Sequence, residues 1–268
     1  MEILKPLAPG RPRVKVALFD FDGTLSTLRH GWERTMEPFM VESIAGSSPA
    51  ESGLVDEVRA YIDRSTGIQT YFQMEWLVEA VRRHGRNPGG STDPWAYKAE
   101  YNRRLMRDVQ ERRSRIVDGT AVRADFLMRG SEAFLQALRE RGVEICVASG
   151  TDDPDVKEEA EALGLARYFK EIAGAPVGRA ECSKEAVLRR LVDENGLHGQ
   201  EVVVFGDGKV EIALGCEVGA ITVGVASDEE RLHGVNPVKR ERLVQAGAHA
   251  ILDCFEPMDP ILDWLRIR

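Results

Sequence analysis

The sequence predicts an α/β protein: a mostly parallel sheet with helices on both faces, interrupted after an early strand by an all-helical insertion. Three observations predict it. The nearly continuous apolar run Val14 to Phe19 has the composition of a strand covered on both sides. From Ser131 onward, helical and strand patterns alternate with short connections, which implies right-handed crossovers in a parallel sheet. Between these parts, from about Thr27 to Asp118, amphipathic helical patterns recur without a convincing strand. A chain of 268 residues has room for a core with a smaller companion. The expected division is a discontinuous core, residues 1–26 and 118–268, with residues 27–117 inserted.

In chain order, the first strand ends at Asp20-Phe21-Asp22-Gly23-Thr24-Leu25. Aspartate is a poor strand former, so two of them at the carboxyl end of a buried run are informative; ligands of open α/β sheets bind at that edge. Alone, the segment admits two readings, a solvated turn and a catalytic edge. Helices are predicted over Trp32–Ser43, Gly53–Arg64 and Thr70–His84. A turn-rich break, 85–94, precedes a further helix from about Trp95 to Arg115. That last helix carries Arg103, Arg104, Arg107, Arg112, Arg113 and Arg115, read as a solvated face with Glu100, Asp108 and Glu111 as counter-charges. Trp32, Trp76 and Trp95 read as core of the insertion.

After the insertion, Ser131 is expected to cap a helix that stops at Gly142, and Val143–Ala148 forms a strand ending in Ser149-Gly150-Thr151. Asp153-Pro154 starts a helix that Gly164 ends, and Ser183 caps another from Lys184 to Asn195. Val202–Phe205 is a strand, followed by Gly206-Asp207-Gly208 and a short helix from about Val210. Ile221–Val225 and Ala250–Leu252 read as later strands and Pro260–Leu265 as a closing helix. No internal repeat is evident.

Composition narrows the function classes. With 43% hydrophobic and 30% charged residues the chain is globular, not disordered. A net charge of -8 and a pI near 5.3 argue against sequence-independent nucleic-acid binding, which needs a basic face. No apolar run approaches the ~20 residues of a membrane span, and Met1 to Arg13 lack the apolar stretch of a signal peptide. A cytoplasmic protein without membrane or nucleic-acid partners is expected. Cys146, Cys182, Cys216 and Cys254 are widely spaced, without a Cys-x-x-Cys pair, and read as reduced structural thiols.

Three apolar runs thus end in polar residues, at Asp20 and Asp22, at Ser149 and at Asp207, and parallel pairing puts those ends on one sheet edge. Lys184 opens a helix shortly before the third run. A phosphate site uses such groups: carboxylates for a divalent metal, a hydroxyl and amides for phosphoryl oxygens, an ammonium against crowded negative charge. In order and local context, Asp20-Phe-Asp22-Gly-Thr-Leu, Ser149, Lys184 and Gly206-Asp207-Gly-Lys-Val-Glu211 resemble the four motifs of the haloacid dehalogenase (HAD) superfamily. They span nearly the whole chain.

The resemblance implies a Rossmann-like core with a helical C1-type cap of the phosphoglycolate-phosphatase-like kind, the cap helping to choose the substrate. It implies Asp20 as nucleophile, Asp22 as general acid and then base, and an aspartyl-phosphate intermediate. It implies Ser149, the Gly150 amide and Lys184 on the phosphate. Mg2+ would be held by the Asp20 carboxylate, the Asp22 carbonyl and Asp207, with Glu211, where many members have Asp, as a further metal residue, directly or in an outer-shell role through water. Lys209 receives no role. The acid at position 22 separates this chain from haloacid dehalogenases and from P-type ATPases, and no lysine of the insertion marks a phosphonatase. Hydrolysis of a small-molecule phosphate monoester is the leading expectation. A sugar phosphomutase of the β-phosphoglucomutase type and a non-catalytic HAD-like binding module are the alternatives.

Overall fold

The computed structural model describes all residues except 50, 181–182, 194–195 and 268. Its sheet has seven strands: β1 (Glu2–Ile3), β2 (Val16–Phe19), β3 (Glu144–Asp152), β4 (Glu171–Ala175), β5 (Val202–Gly206), β6 (Ile221–Val225) and β7 (Ala250–Leu252). Their spatial order is β1-β7-β6-β5-β2-β3-β4, and every pairing is parallel except the edge pair of β1 with β7. β2 is central and wholly buried. Its side chains alternate, Ala17 and Phe19 joining one hydrophobic layer and Val16 and Leu18 the other.

Helices α5 (Ser131–Glu140), α6 (Asp153–Ala162) and α10 (Asp259–Leu265) supply apolar side chains to the first layer. Its centre is aromatic: Phe19 stacks on Phe205 with centroids 4.6 Å apart, and Phe134 and Phe255 close round them. Side chains of this size contribute roughly 1.5–3 kcal/mol each on full burial. On the opposite face α7 (Ser183–Asp193) packs Val187, Leu188 and Leu191 against β2, β3 and β5, with α8 (Lys209–Glu217) beside it. Finally, α9 (Pro237–Gln245) covers β6 and β7.

Between β2 and β3 lie α1 (Trp32–Ala45), α2 (Ser52–Ser65), α3 (Thr70–His84) and α4 (Pro94–Val117). Met36, Phe39, Met40, Val58, Met74, Leu77, Tyr97, Tyr101 and Val109 give these helices a hydrophobic cluster of their own, separate from the two layers of the sheet. No helix among the described residues is long and apolar enough to cross a membrane. Cys146, Cys216 and Cys254 are free thiols, whereas Cys182 lies outside the described residues.

Several expectations need correction. Ser131 does not cap α5. Gly130, at φ 77°, holds the cap position, and the Ser131 hydroxyl is buried without a hydrogen-bond partner. β3 runs on through Ser149 to Asp152, across a register shift after Ala148. β1, β4 and α9 carry no signal used above: β1 has two residues, and β4 reads Glu-Ile-Ala-Gly-Ala, too polar and small for a strand by composition. α7 is described to Asp193, and Asn195 lies outside the described residues. The basic face of α4 is only partly a solvated one. Glu100 does pair with Arg103 and Arg104, but Arg112 donates to the carbonyls of Leu28 and His30, and Arg113 reaches Glu158 on α6.

Candidate active site

Parallel pairing brings the ends of β2, β3 and β5 to one edge, and the turn after β2 shapes that edge. The Asp20 amide continues the ladder to the Phe205 carbonyl at 2.9 Å, after which the chain curls: Leu25 and Ser26 donate to the Phe21 carbonyl at 2.9 and 3.0 Å. Gly23 makes the curl possible at φ 71°. It also faces Asp207 so closely that a Cβ there would stand 2.3 Å from Asp207 Oδ2.

Lys184, at the start of α7, donates to Asp20 Oδ2 at 2.8 Å and to Glu211 Oε2 at 2.9 Å. The other Glu211 oxygen accepts the Gly208 amide at 2.6 Å, closing the first turn of α8. Oxygens of Asp20, Asp207 and Glu211 lie within 4.8 Å of one another, and all three residues are buried. Burial, first, and the neighbouring carboxylates hold the Asp20 carboxyl well above its ordinary range and raise Asp207, although Lys184 and Lys239 pull them back. Glu211 goes the other way: burial opposes its ionisation, but Lys184 and the Gly208 amide outweigh it and its pKa falls.

Asp22 stands apart from this trio. Its Oδ2 accepts from the Thr151 hydroxyl at 2.8 Å, and its Oδ1 lies 3.9 Å from Nε of Arg29. Burial raises its pKa against the pull of Arg29 and Thr151. Arg29 in turn grips Glu159 of α6, from Nη2 at 2.6 Å and from Nε at 3.0 Å. Ser149 is fully buried in the last stretch of β3, where its hydroxyl accepts the Thr151 amide at 3.1 Å.

One pocket joins Asp20, Asp22, Ser149, Gly150, Lys184 and Asp207. Its cavity volume is about 110 Å3, below the range of drug-sized ligand sites (~300–1,000 Å3), and it opens to solvent. The α2–α3 loop of the insertion lies directly over it: a Cβ on Gly67 would be 3.3 Å from the Gly208 Cα. Trp32 does more than fill the insertion core, since it also lines this pocket. Trp76 stacks on Tyr61, and Trp95 packs on Tyr71. Glu211 touches Lys184 but is not on the pocket wall, and Lys209 faces a separate groove with Val210 and Arg242.

Four residues of the site receive no functional role in the sequence reading. Thr151 and Arg29 hold Asp22, and Glu229 lines the pocket. Lys239 binds Asp207 Oδ2 at 2.7 Å and Glu229 Oε1 at 2.5 Å. Glu229 is held at about 2: burial opposes this, but His30 and Lys239 together prevail.

The chain is similar to known proteins along most of its length. A 5'-nucleotidase of Pseudomonas aeruginosa is 25% identical over 224 residues, 81% of this chain and 86% of the relative. A phosphoglycolate phosphatase of Rhodospirillum rubrum is 23% identical over 251 residues, 94% and 90% of the two chains. Among solved structures, a β-phosphoglucomutase from Clostridium difficile superposes with TM-score 0.64 at 14% identity, covering 94% of this chain and 97% of its own, a likeness of fold. The family model for haloacid dehalogenase-like hydrolases matches residues 14–219, from β2 through α8, and the chain therefore belongs to that family of enzymes.

Proposed function

We propose that the protein is a Mg2+-dependent phosphatase acting on a small-molecule phosphate monoester through an aspartyl-phosphate. In this reading residues 27–117 are a cap over a core formed by residues 1–26 and 118–268. The observation that carries it is the convergence of Asp20, Lys184, Asp207 and Glu211 at one sheet edge, with a second carboxylic acid, Asp22, held separately two residues from the first. The relatives named a 5'-nucleotidase and a phosphoglycolate phosphatase support the same class of substrate.

The residues fit a hard divalent cation. Asp20 and Asp207 offer oxygen donors in a buried space where their ionisation is strained, as it is where a cation's charge is called for. Each carboxylate has about four lone-pair sites, so one ammonium contact apiece leaves room for a metal. Asp20, Asp207 and the Asp22 carbonyl would hold it, and bound there it would offset the phosphate charge and the crowded carboxylates. Both Glu211 oxygens already accept a proton donor, which favours a role through Lys184 and through water.

The Asp20 carboxylate attacks phosphorus as the ester P–O bond breaks, and the electron pair leaves on the ester oxygen. Asp22 gives that oxygen a proton; its raised pKa keeps a proton available at higher pH than an ordinary aspartate would. The Thr151 hydroxyl fixes the rotamer that delivers it. Asp22 then takes a proton from water, which attacks the acyl phosphate and frees Asp20. Lys184 restrains Asp20 and neutralises phosphoryl charge, while Ser149 and the Gly150 amide hold phosphoryl oxygens.

Phosphate release from p-nitrophenyl phosphate tests this. It is expected to require Mg2+ and to stop with a chelator. Asp20→Asn should lose about a thousandfold or more in turnover with an unchanged far-UV spectrum. A near-normal rate in that variant would reject Asp20 as nucleophile.

A further inference from the structure

We infer that the pocket selects phosphate esters whose leaving group is uncharged, a simple alcohol or polyol, and rejects those bearing a carboxylate; this rests on the phosphatase reading and narrows its substrate class. Among the described residues, the basic side chains of the site, Lys184 buried and Lys239 and Arg29 largely so, are each already matched by at least two carboxylates. Lys184 lies between Asp20 and Glu211. Lys239 lies between Asp207 and Glu229. Arg29 sits beside Glu159 at 2.6 Å, Asp155 at 3.4 Å and Asp22 at 3.9 Å.

Among the described residues on the pocket wall, Lys184 and Arg29 are the only basic ones, and Arg29 alone stands on the Asp22 side, where the leaving group departs. Two of its three guanidinium nitrogens bind Glu159. The third makes none of these bonds, and with Asp22 protonated as the acid the charge it shares is still met by Glu159 and Asp155. An anionic leaving group placed there meets more negative than positive charge, and like-charge juxtaposition is what rejects a wrong ligand.

The insertion supplies the rest of this wall with uncharged groups: Trp32, Thr66, Ile68, Thr70, Tyr101 and Leu105. Gln73, which could have offered an amide, is turned to the Ser65 hydroxyl at 3.1 Å. Such a surface suits carbon and hydroxyl groups and offers a carboxylate no cation.

The test compares 2-hydroxyethyl phosphate with 2-phosphoglycolate, which match in size and differ by one carboxylate, with p-nitrophenyl phosphate as reference. For the full-length protein we expect kcat/KM at least about tenfold higher for 2-hydroxyethyl phosphate. Glu159→Gln removes one of the charges that cancel Arg29 and should narrow that ratio by about tenfold; Asp155→Asn, at the partly exposed end of the cluster, should narrow it a few-fold. Asp155→Asn carries the comparison if Glu159→Gln fails to give a cooperative melt. Equal or better use of 2-phosphoglycolate, or a ratio unmoved in folded variants, overturns the inference while p-nitrophenyl phosphate is still turned over. Failure to hydrolyse any of the three esters overturns the phosphatase reading beneath it.

Discussion

The two sides of the pocket are built by different rules. On one side Asp20, Asp207, Lys184 and Glu211 come from strand ends and the first turns of helices in a single sheet layer, and strand register alone sets most of their spacing. On the other side Asp22 is held by Thr151 and by Arg29, and Arg29 is anchored on Glu159 130 residues further along the chain. In the proposed reaction the first side handles phosphate, which every candidate substrate shares, and the second meets the leaving group, which differs between substrates. The invariant half of the chemistry sits on the rigid sheet, and the variable half at the seam between sheet and insertion.

Gly23 tests how little play the sheet side has. At φ 71°, with Asp207 Oδ2 2.3 Å and Glu229 Oε1 3.2 Å from where a Cβ would stand, Gly23→Ala must move either the Asp20–Asp22 turn or Asp207. Turnover should drop by about two orders of magnitude, with a higher Mg2+ concentration for half-maximal rate. An unchanged Mg2+ requirement would mean that this turn does not set the acidic cluster.

Glu229 belongs to the same side but acts on stability. Its folded-state acidity of about 2 lies below the ordinary glutamate value, so its ionised form favours folding above about pH 4.5, and that contribution fades as pH falls toward 2. Glu229→Gln should cost roughly 2 kcal/mol at pH 7, with the gap from the parent protein closing in acid. Urea melts at several pH values measure it. A gap that stays constant down to pH 3 would assign the loss to packing, not to the Lys239 pair.

The same division explains what was legible in the sequence. An apolar run that stops at an acid or a hydroxyl marks the catalytic edge of the sheet even where, as at Ser149, the strand itself runs on, so Asp20, Asp22, Ser149 and Asp207 are legible in the sequence. Glu229 obeys that rule too: it follows β6 by way of Ala226-Ser227-Asp228, and Ser227 even donates to the Gly23 carbonyl at 3.2 Å. Lys239 was announced only by the helix start it belongs to, Asn236 capping α9 ahead of Pro237. Arg29 has no such marker. It is one charge in a connecting segment, and only the packing of α6 against that segment gives it a partner. The α1–α4 cluster was legible as helices, because their apolar spacing is regular, but how their loops fall on the pocket was not.

Thr151 offers the most selective separation of the two sides. Thr151→Val keeps the shape of the side chain and removes only the hydroxyl that donates to Asp22 Oδ2 at 2.8 Å. A hydrogen bond to a charged or titrating group is worth roughly 1.5–3 kcal/mol, but here a rotamer is loosened, not an ion pair broken, so about tenfold is expected. The loss should fall on alkyl phosphates, whose alkoxide needs a proton as it departs. p-Nitrophenolate departs without one, so its ester should keep kcat/KM within about twofold, that ratio reporting on steps up to phosphoryl transfer and not on the later attack of water. Equal losses for both esters would show that Thr151 shapes the phosphate side as well, and that the division at Asp22 is less sharp than its hydrogen bonds make it.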